Sequence, residues 1–308
     1  MDKIAPILII TFNRPDYLRA LLDVVQDIDT SCLYIFRDGP RKGNQNDIQA
    51  GEDIKDEIKK RTFSFPVKTN FSEQNYGCGY GPYNAISWAF TFEEQLIILE
   101  DDCIPSPVFF NFCTDMLDQY KNHNNVRLIS GRSHYSHHPI FKKYDYIFSQ
   151  YAHTLGWATW KRVWNGFSLD MPGLDDFLKK DGFRDIFATS TEAHFMQRRY
   201  KKVRNDKNLS SHSWDIQFGF YCRRTGALGI VPSKNLVRNI GYIGTHPSKE
   251  DSYLYTLPAE TIFSYGTKEP LTVSLNKEYE LSYFKKFIKK QMPSIYVRVL
   301  NKIKRICS

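Results

Sequence analysis

A chain of 308 residues can bury a sizeable core, as one large α/β domain or two small ones. Its apolar and charged contents, 42% and 25%, are ordinary for a globular protein, and no apolar run is as long as a membrane span. The net charge of +8 is confined to the end of the chain: Leu281 to Ser308 carries eight basic residues and no acid, leaving 34 basic and 34 acidic residues in the rest. A neutral body without a recognised motif argues against nucleic-acid binding.

The first half alternates strand and helix signals. Ile7 to Phe12 reads as a strand, and Asn13-Arg14-Pro15 turns into a helix with Leu18, Leu21, Leu22 and Val25 on one face. Leu33 to Phe36 is a second strand ending in Arg37-Asp38-Gly39-Pro40, Ile48 to Lys60 a charged helix, and Phe65 to Asn70 a third strand. Gly77 to Pro82 reads as a close-packed loop, with a helix following through Phe92. It is no dinucleotide fingerprint, because the spacing is wrong and it follows no first strand. Leu96 to Leu99 is a short buried strand, Pro107 to about Tyr120 a helix, and Val126 to Ser130 another strand. This order predicts a mostly parallel sheet covered by helices. The second half is less regular: Gly156-Trp157, a helix with Trp160 and Trp164, a basic helix around Gln197 to Arg204, a helix opened by Trp214-Asp215, and strands at Leu228 to Val231 and Leu236 to Ile240.

The most informative residues are Glu100-Asp101-Asp102, directly after Leu96-Ile97-Ile98-Leu99. Strand ends emerge at the carboxyl edge of an open α/β sheet, where ligands bind. Three adjacent acids repel one another, so a positive group belongs between them, and a divalent metal completed by substrate phosphates fits. Ser106-Pro107 supplies the next helix with its own start, so the acids are not needed as caps. Asp38 ends the second strand, where a carboxylate can accept from a base N–H or simply form an Asp-Gly-Pro turn. In Trp214-Asp215 the aromatic can desolvate the acid, as suits a general base, or the acid can merely complement a helix dipole. His246, in a glycine-punctuated loop, is either a ligand to metal or diphosphate or a surface histidine. The cysteines lack Cys-x-x-Cys spacing, so neither zinc nor a redox pair is indicated; with Ile4 to Phe12 too short for a secretory signal, reduced thiols in a cytoplasm are expected.

With these residues in view, the chain resembles glycosyltransferases of the GT-A fold. Ile9-Ile10-Thr11-Phe12-Asn13-Arg14-Pro15 resembles the first strand and loop of inverting family-2 enzymes. Glu100-Asp101-Asp102, with Pro105 and Phe109-Phe110, resembles the metal motif of N-acetylglucosaminyltransferase I and its relatives; Leu155-Gly156-Trp157 resembles their acceptor-side glycine turn, and Trp214-Asp215 their Trp-Asp. The resemblance covers roughly residues 5 to 245. It departs at Ile216, where the animal enzymes have a second acid, and in lacking their membrane anchor and stem, which points to a bacterial-type cytoplasmic enzyme.

The resemblance implies a Rossmann-like catalytic domain over 1–270, with a nucleotide-sugar half to about 130 and an acceptor half after it. It implies Mn²⁺ or Mg²⁺ on Asp102, with His246 as a further ligand. Glu100 and Asp101 would meet the donor ribose or sugar, and Asp38 the uracil. Thr11, Asn13, Arg14, Gly156 and Trp157 would belong to the donor site, and Asp215 would be the catalytic base. The activity implied is hexosyl or N-acetylhexosaminyl transfer from a UDP-sugar to a glycan or lipid-linked saccharide. A sugar-1-phosphate nucleotidyltransferase is the alternative, weakened because Thr11 to Pro15 contains no glycine; a basic nucleic-acid-binding module is the non-enzymatic one. Residues 271–308 read as a basic amphipathic helical tail. Ile295, Val299, Ile303 and Ile306 lie opposite Arg298, Lys302 and Arg305; Phe284, Phe287 and Ile288 lie opposite Lys285, Lys286, Lys289 and Lys290. Such a tail suits an anionic membrane surface and a peripheral position on its inner face.

Overall fold

The computed structural model describes residues 3–206, 214–241 and 257–292. Its central strand is β1 (Ile7–Thr11), buried at every residue. Parallel neighbours flank it, β2 (Leu33–Arg37) on one side and β4 (Gln95–Glu100) on the other, and β3 (Val67–Phe71) adds to β2. Strands covered on both faces read as continuous apolar runs, which is why Ile-Leu-Ile-Ile and Leu-Ile-Ile-Leu were legible. Helix α1 (Pro15–Val25) starts at a proline whose fixed φ suits a first helical residue, and it buries Leu18, Leu21, Leu22 and Val25. Helix α2 (Gln45–Lys59) is capped by Asn44, whose side chain accepts from the Asp47 N–H. The glycine-rich segment expected as a loop is instead the opening of α3 (Gly77–Ala89). Only Gly77, with φ +73°, adopts a backbone that favours glycine there.

After β4 come a short strand β5 (Cys103–Pro105), α4 (Pro107–Gln119) and β6 (Val126–Ser130). The second half supplies β7 (Tyr146–Ser149), β8 (Trp157–Trp160), β9 (Leu228–Pro232) and β10 (Val237–Asn239). One eight-stranded sheet runs β3-β2-β1-β4-β8-β6-β9-β7, and β5 pairs with β10 in a separate antiparallel ribbon. The first four strands are parallel, as expected, but β8 is antiparallel to both β4 and β6, and β7 is antiparallel to β9. Trp160, expected in a helix, ends β8; helix α5 (Lys161–Trp164) starts one residue later. Helices α6 (Leu174–Lys179), α7 (Ser190–Asn205) and α8 (Asp215–Arg224) form a second layer, in which Phe177, Phe183, Phe187, Met196, Tyr200 and Phe220 share a core of their own.

The expected boundary at residue 270 does not separate the following segment from the body. Helix α9 (Lys277–Tyr283) and the turns after it pack onto β7 and β9, where Tyr279, Tyr283, Phe284 and Met292 join Ile147, Tyr151 and Val231 in one apolar cluster. Glu280 is buried beneath this segment and accepts from Ser149 Oγ at 2.5 Å. Phe284 is buried and Phe287 and Ile288 are half-buried, while Lys285, Lys286, Lys289 and Lys290 face solvent. The apolar face assigned to a membrane is therefore used on the protein itself as far as residue 292; residues 293–308 lie outside the described residues. No helix among the described residues is long and apolar enough to cross a membrane.

Candidate active site

The ends of β1 and β4 place the acids. Asp101 is 1% exposed; its backbone N–H donates to Ile10 O at 3.0 Å and its Oδ2 accepts from Thr11 Oγ1 at 2.8 Å. The Arg14 guanidinium lies between the carboxylates, ion-paired with Asp101 Oδ1 and 3.5 Å from Asp102 Oδ2. A positive group does belong among the three acids, and in the chain itself it is Arg14. Burial works against the Arg14 charge, but Asp101, Asp102 and Glu100 more than offset it and raise its pKa. Burial pushes Asp101 up to about 6, with Arg14 pulling the other way. Glu100 is raised further, first by burial and then by Asp102 and Asp101.

The residues fit a metal that takes most of its ligands from a substrate. Among the described residues no three His, Cys, Asp or Glu side chains gather as a metal cage. Asp102 could offer such a metal one carboxylate oxygen. Its backbone carbonyl accepts from Ile240 N at 2.9 Å, which lays Gly241 over the carboxylate, and a Cβ at Gly241 would collide with Asp102 Oδ2. The missing side chain leaves that oxygen accessible, and buried Asp101 Oδ1 has no hydrogen bond to complement its ion pair. Mg²⁺-type sites commonly use one or two carboxylates with phosphates and water. His246 lies outside the described residues.

Two donor-site expectations acquire structural partners. The Asp38 carboxylate accepts from Gly39 N, Tyr76 N, Gly77 N and Asn75 Nδ2 at 2.9–3.2 Å. These donors fill its four acceptor positions, so Asp38 ties the end of β2 to the start of α3 and has no lone pair left over for a base. Asn13 Nδ2 donates to Asp47 at 2.8 Å, and the same buried carboxylate accepts from Arg41 Nε at 2.6 Å and Nη2 at 2.8 Å. The Arg41 hydrogen bonds hold Asp47 down to about 2. Asn13 thus anchors the loop that carries Arg14. Nothing in the sequence around Asp47 singled it out, because its partners come from two other loops.

On the acceptor side, Trp214 and Asp215 separate. Trp214 is buried among Trp157, Trp164, Phe167 and Phe218, whose ring centroids are 5.6–6.3 Å away, whereas Asp215 is exposed at the first residue of α8. The tryptophan fixes the helix start and does not cover the acid, contrary to the expected desolvation. The Asp215 charge is among the smaller causes that raise Glu100 and Cys78, so it lies within electrostatic range of the triplet. Trp157, 1% exposed, is removed from ligand contact by packing on Trp214 and Phe218. Gly156 has φ +65°, and a Cβ there would meet Val237 Cγ2 at 2.7 Å. Of this expected donor contact, Gly156 serves the joint between β8 and the β5–β10 ribbon and Trp157 the joint between β8 and α8.

A cavity of about 180 Å³ opens beside Asp215, lined among others by Gln150, His153, Thr154, Glu192 and Arg199. Two rings share one hydroxyl at its back: His153 Nε2 and His134 Nδ1 lie 2.7 and 3.0 Å from Tyr283 Oη. Burial, then Arg132, lowers His153 to about 3; His134 is lowered by burial, His153 and Arg132. Neither histidine was expected here, since His134 reads from sequence as exposed loop. No family model matches the chain, and no curated protein matches it. Among solved structures, the glucosyl-3-phosphoglycerate synthase from Mycobacterium tuberculosis, determined with Mn²⁺, UDP and glucosyl-3-phosphoglycerate, aligns at 15% identity and a TM-score of 0.27, over 42% of this chain and 43% of that one.

Proposed function

We propose that this chain is a metal-dependent glycosyltransferase of GT-A type. It would move a hexose or N-acetylhexosamine from a UDP-sugar to a hydroxyl of a glycan or lipid-linked saccharide, with inversion. The observation that carries the reading is the meeting of Arg14 and Glu100-Asp101-Asp102 at one carboxyl edge of the sheet, with Asp215 within electrostatic range and a cavity opening beside Asp215. Asp102 would hold Mn²⁺ or Mg²⁺, which offsets the charge of the departing diphosphate. Glu100 and Asp101 would face the donor ribose or sugar. Thr11 fixes Asp101, and Arg14 keeps a positive charge among the acids. Asp215 takes the proton of the attacking hydroxyl, as an inverting transfer requires of one positioned base. The tryptophans beneath it hold the start of α8 in place.

The lysines facing solvent between 285 and 290, with the basic residues that follow, support a peripheral position at the inner face of an anionic membrane. The function is tested by incubating the full chain with a panel of UDP-sugars and Mn²⁺, with and without EDTA, and following UDP release. Release with at least one donor, abolished by EDTA, is expected; no release with any donor, or release indifferent to EDTA, would refute the reading.

A further inference from the structure

A second concavity adjoins the Asp215 cavity, and nothing in the proposed reaction uses it. It encloses about 740 Å³ between α7 and the chain at Gln291 and Met292, and its charged lining is entirely basic: Arg184, Arg198, Arg199 and Lys202, with His194 beside them. Phe195 and Arg199 line both concavities, so the two are neighbours that share a wall. No ion pair among the described residues engages Arg184, Arg198, Arg199 or Lys202, although elsewhere on the surface Arg19, Arg61, Lys121 and Arg204 all have carboxylate partners. The last turns of α7 also carry Lys201, with no acid after Glu192 until Asp206, so the positive field is not cancelled from the same helix.

We infer that this groove is the subsite for a phosphate-bearing portion of the acceptor. Asp215 and Arg199 line one cavity and Arg199 also lines the basic groove, so a molecule with its hydroxyl at Asp215 has the groove as its neighbour. Arginine forks match phosphate oxygens with paired hydrogen bonds, and three arginines with one lysine can neutralise a diphosphate. The volume exceeds one phosphate and suits a phosphorylated sugar or a diphosphate-linked saccharide, with Phe195 and Met292 giving the apolar flank. The inference rests on the proposed transfer only in naming the occupant as the acceptor; the anion site itself does not depend on it.

The test uses the full chain and the variant Arg198→Ala/Lys202→Ala, changed at two exposed positions of α7. Inorganic pyrophosphate is titrated calorimetrically in EDTA, which removes the metal on which diphosphate binding at the donor side depends. Wild type is expected to bind, the variant at least tenfold more weakly, and binding should weaken with salt. In parallel, UDP-sugar hydrolysis without acceptor should be the same in both proteins, while transfer to phosphorylated saccharides should fall in the variant and transfer to their dephosphorylated forms should not. Equal pyrophosphate binding by the two proteins, or none by wild type, overturns the inference, as does sedimentation of wild type with anionic vesicles while pyrophosphate is ignored. Absent hydrolysis with intact pyrophosphate binding would instead count against the glycosyltransferase reading and leave the anion site standing.

Discussion

At the scale of single residues, the proposed transfer gives Asp215 and Asp102 different tasks. Asp215→Asn keeps shape and hydrogen bonding but loses the proton-accepting oxygen, so turnover should fall about 10²–10⁴-fold with donor affinity nearly unchanged; loss of UDP-sugar binding with residual turnover would make Asp215 a donor residue. Asp102→Ala should abolish Mn²⁺-dependent UDP binding while the thermal unfolding temperature changes little, because the side chain is at the sheet edge; calorimetry showing unchanged affinity would remove it from the metal. Asp47 gives a prediction about acid. Its pKa of about 2 when folded is below the ordinary value of 3.8, so its contribution to stability is full above about pH 4 and is lost as pH falls toward 2. The loss is about 2 kcal/mol. Asp47→Asn should destabilise at pH 7 by a comparable amount, read from urea midpoints, and should blunt the acid limb. The sign is fixed by Arg41, which favours the charged form.

At the scale of elements, α9 is docked over a carboxyl that opposes it at neutral pH. Burial pushes Glu280 up to about 7, with Ser149 and Arg223 acting in the other direction. A raised carboxyl stabilises the fold most when protonated, so stability should decline as pH rises from about 4.5 through 7 and then level off, by up to about 3 kcal/mol. Glu280→Gln retains an acceptor for Ser149 and should flatten that decline; unchanged urea midpoints across pH 5–8 in both proteins would show that Glu280 is not titrating there. Nothing local in the sequence announced this. Lys277 to Ile288 carries an amphipathic pattern that fits a membrane surface or a protein surface equally well, and only the cluster of Tyr279, Tyr283 and Phe284 with Ile147 and Val231 decides between them. The strand β8 was hidden for a related reason. Trp-Ala-Thr-Trp is four residues long and buried throughout, so it has neither alternation nor length to distinguish it from a helix start.

At the scale of the whole molecule, the parallel half and its edge acids were legible from short stretches of chain. A branched apolar run such as Leu96 to Leu99 suits a strand covered on both faces, and three adjacent acids at its end demand a positive charge beside them. The acceptor half was not legible, because its cavity is assembled from β7, α7, α8 and the chain near Ile288, which are far apart in sequence. That assembly also separates two truncations. Removing 293–308 should leave cooperative unfolding intact, and comparing its sedimentation with anionic vesicles against that of the full chain measures what those residues add to membrane affinity. Removing 277–308 strips three large aromatics and Met292 from an apolar cluster, each costing several kcal/mol, which together rivals the stability of a typical domain. The longer truncation should lose its cooperative transition in circular dichroism; a sharp transition near that of the full chain would show that the segment is dispensable to the fold.

The hydroxyl of Tyr283 carries one proton and faces two uncharged imidazoles. It can hand that proton to only one of them, so the other ring must turn an N–H toward it. The choice of tautomer at His153, on the wall of the Asp215 cavity, is thus tied to the choice at His134 through an oxygen borne by α9. Reversing one ring reverses the donors and acceptors along the whole relay, so a hydroxyl on α9 ties the hydrogen-bonding face that His153 offers the cavity to the tautomer of His134.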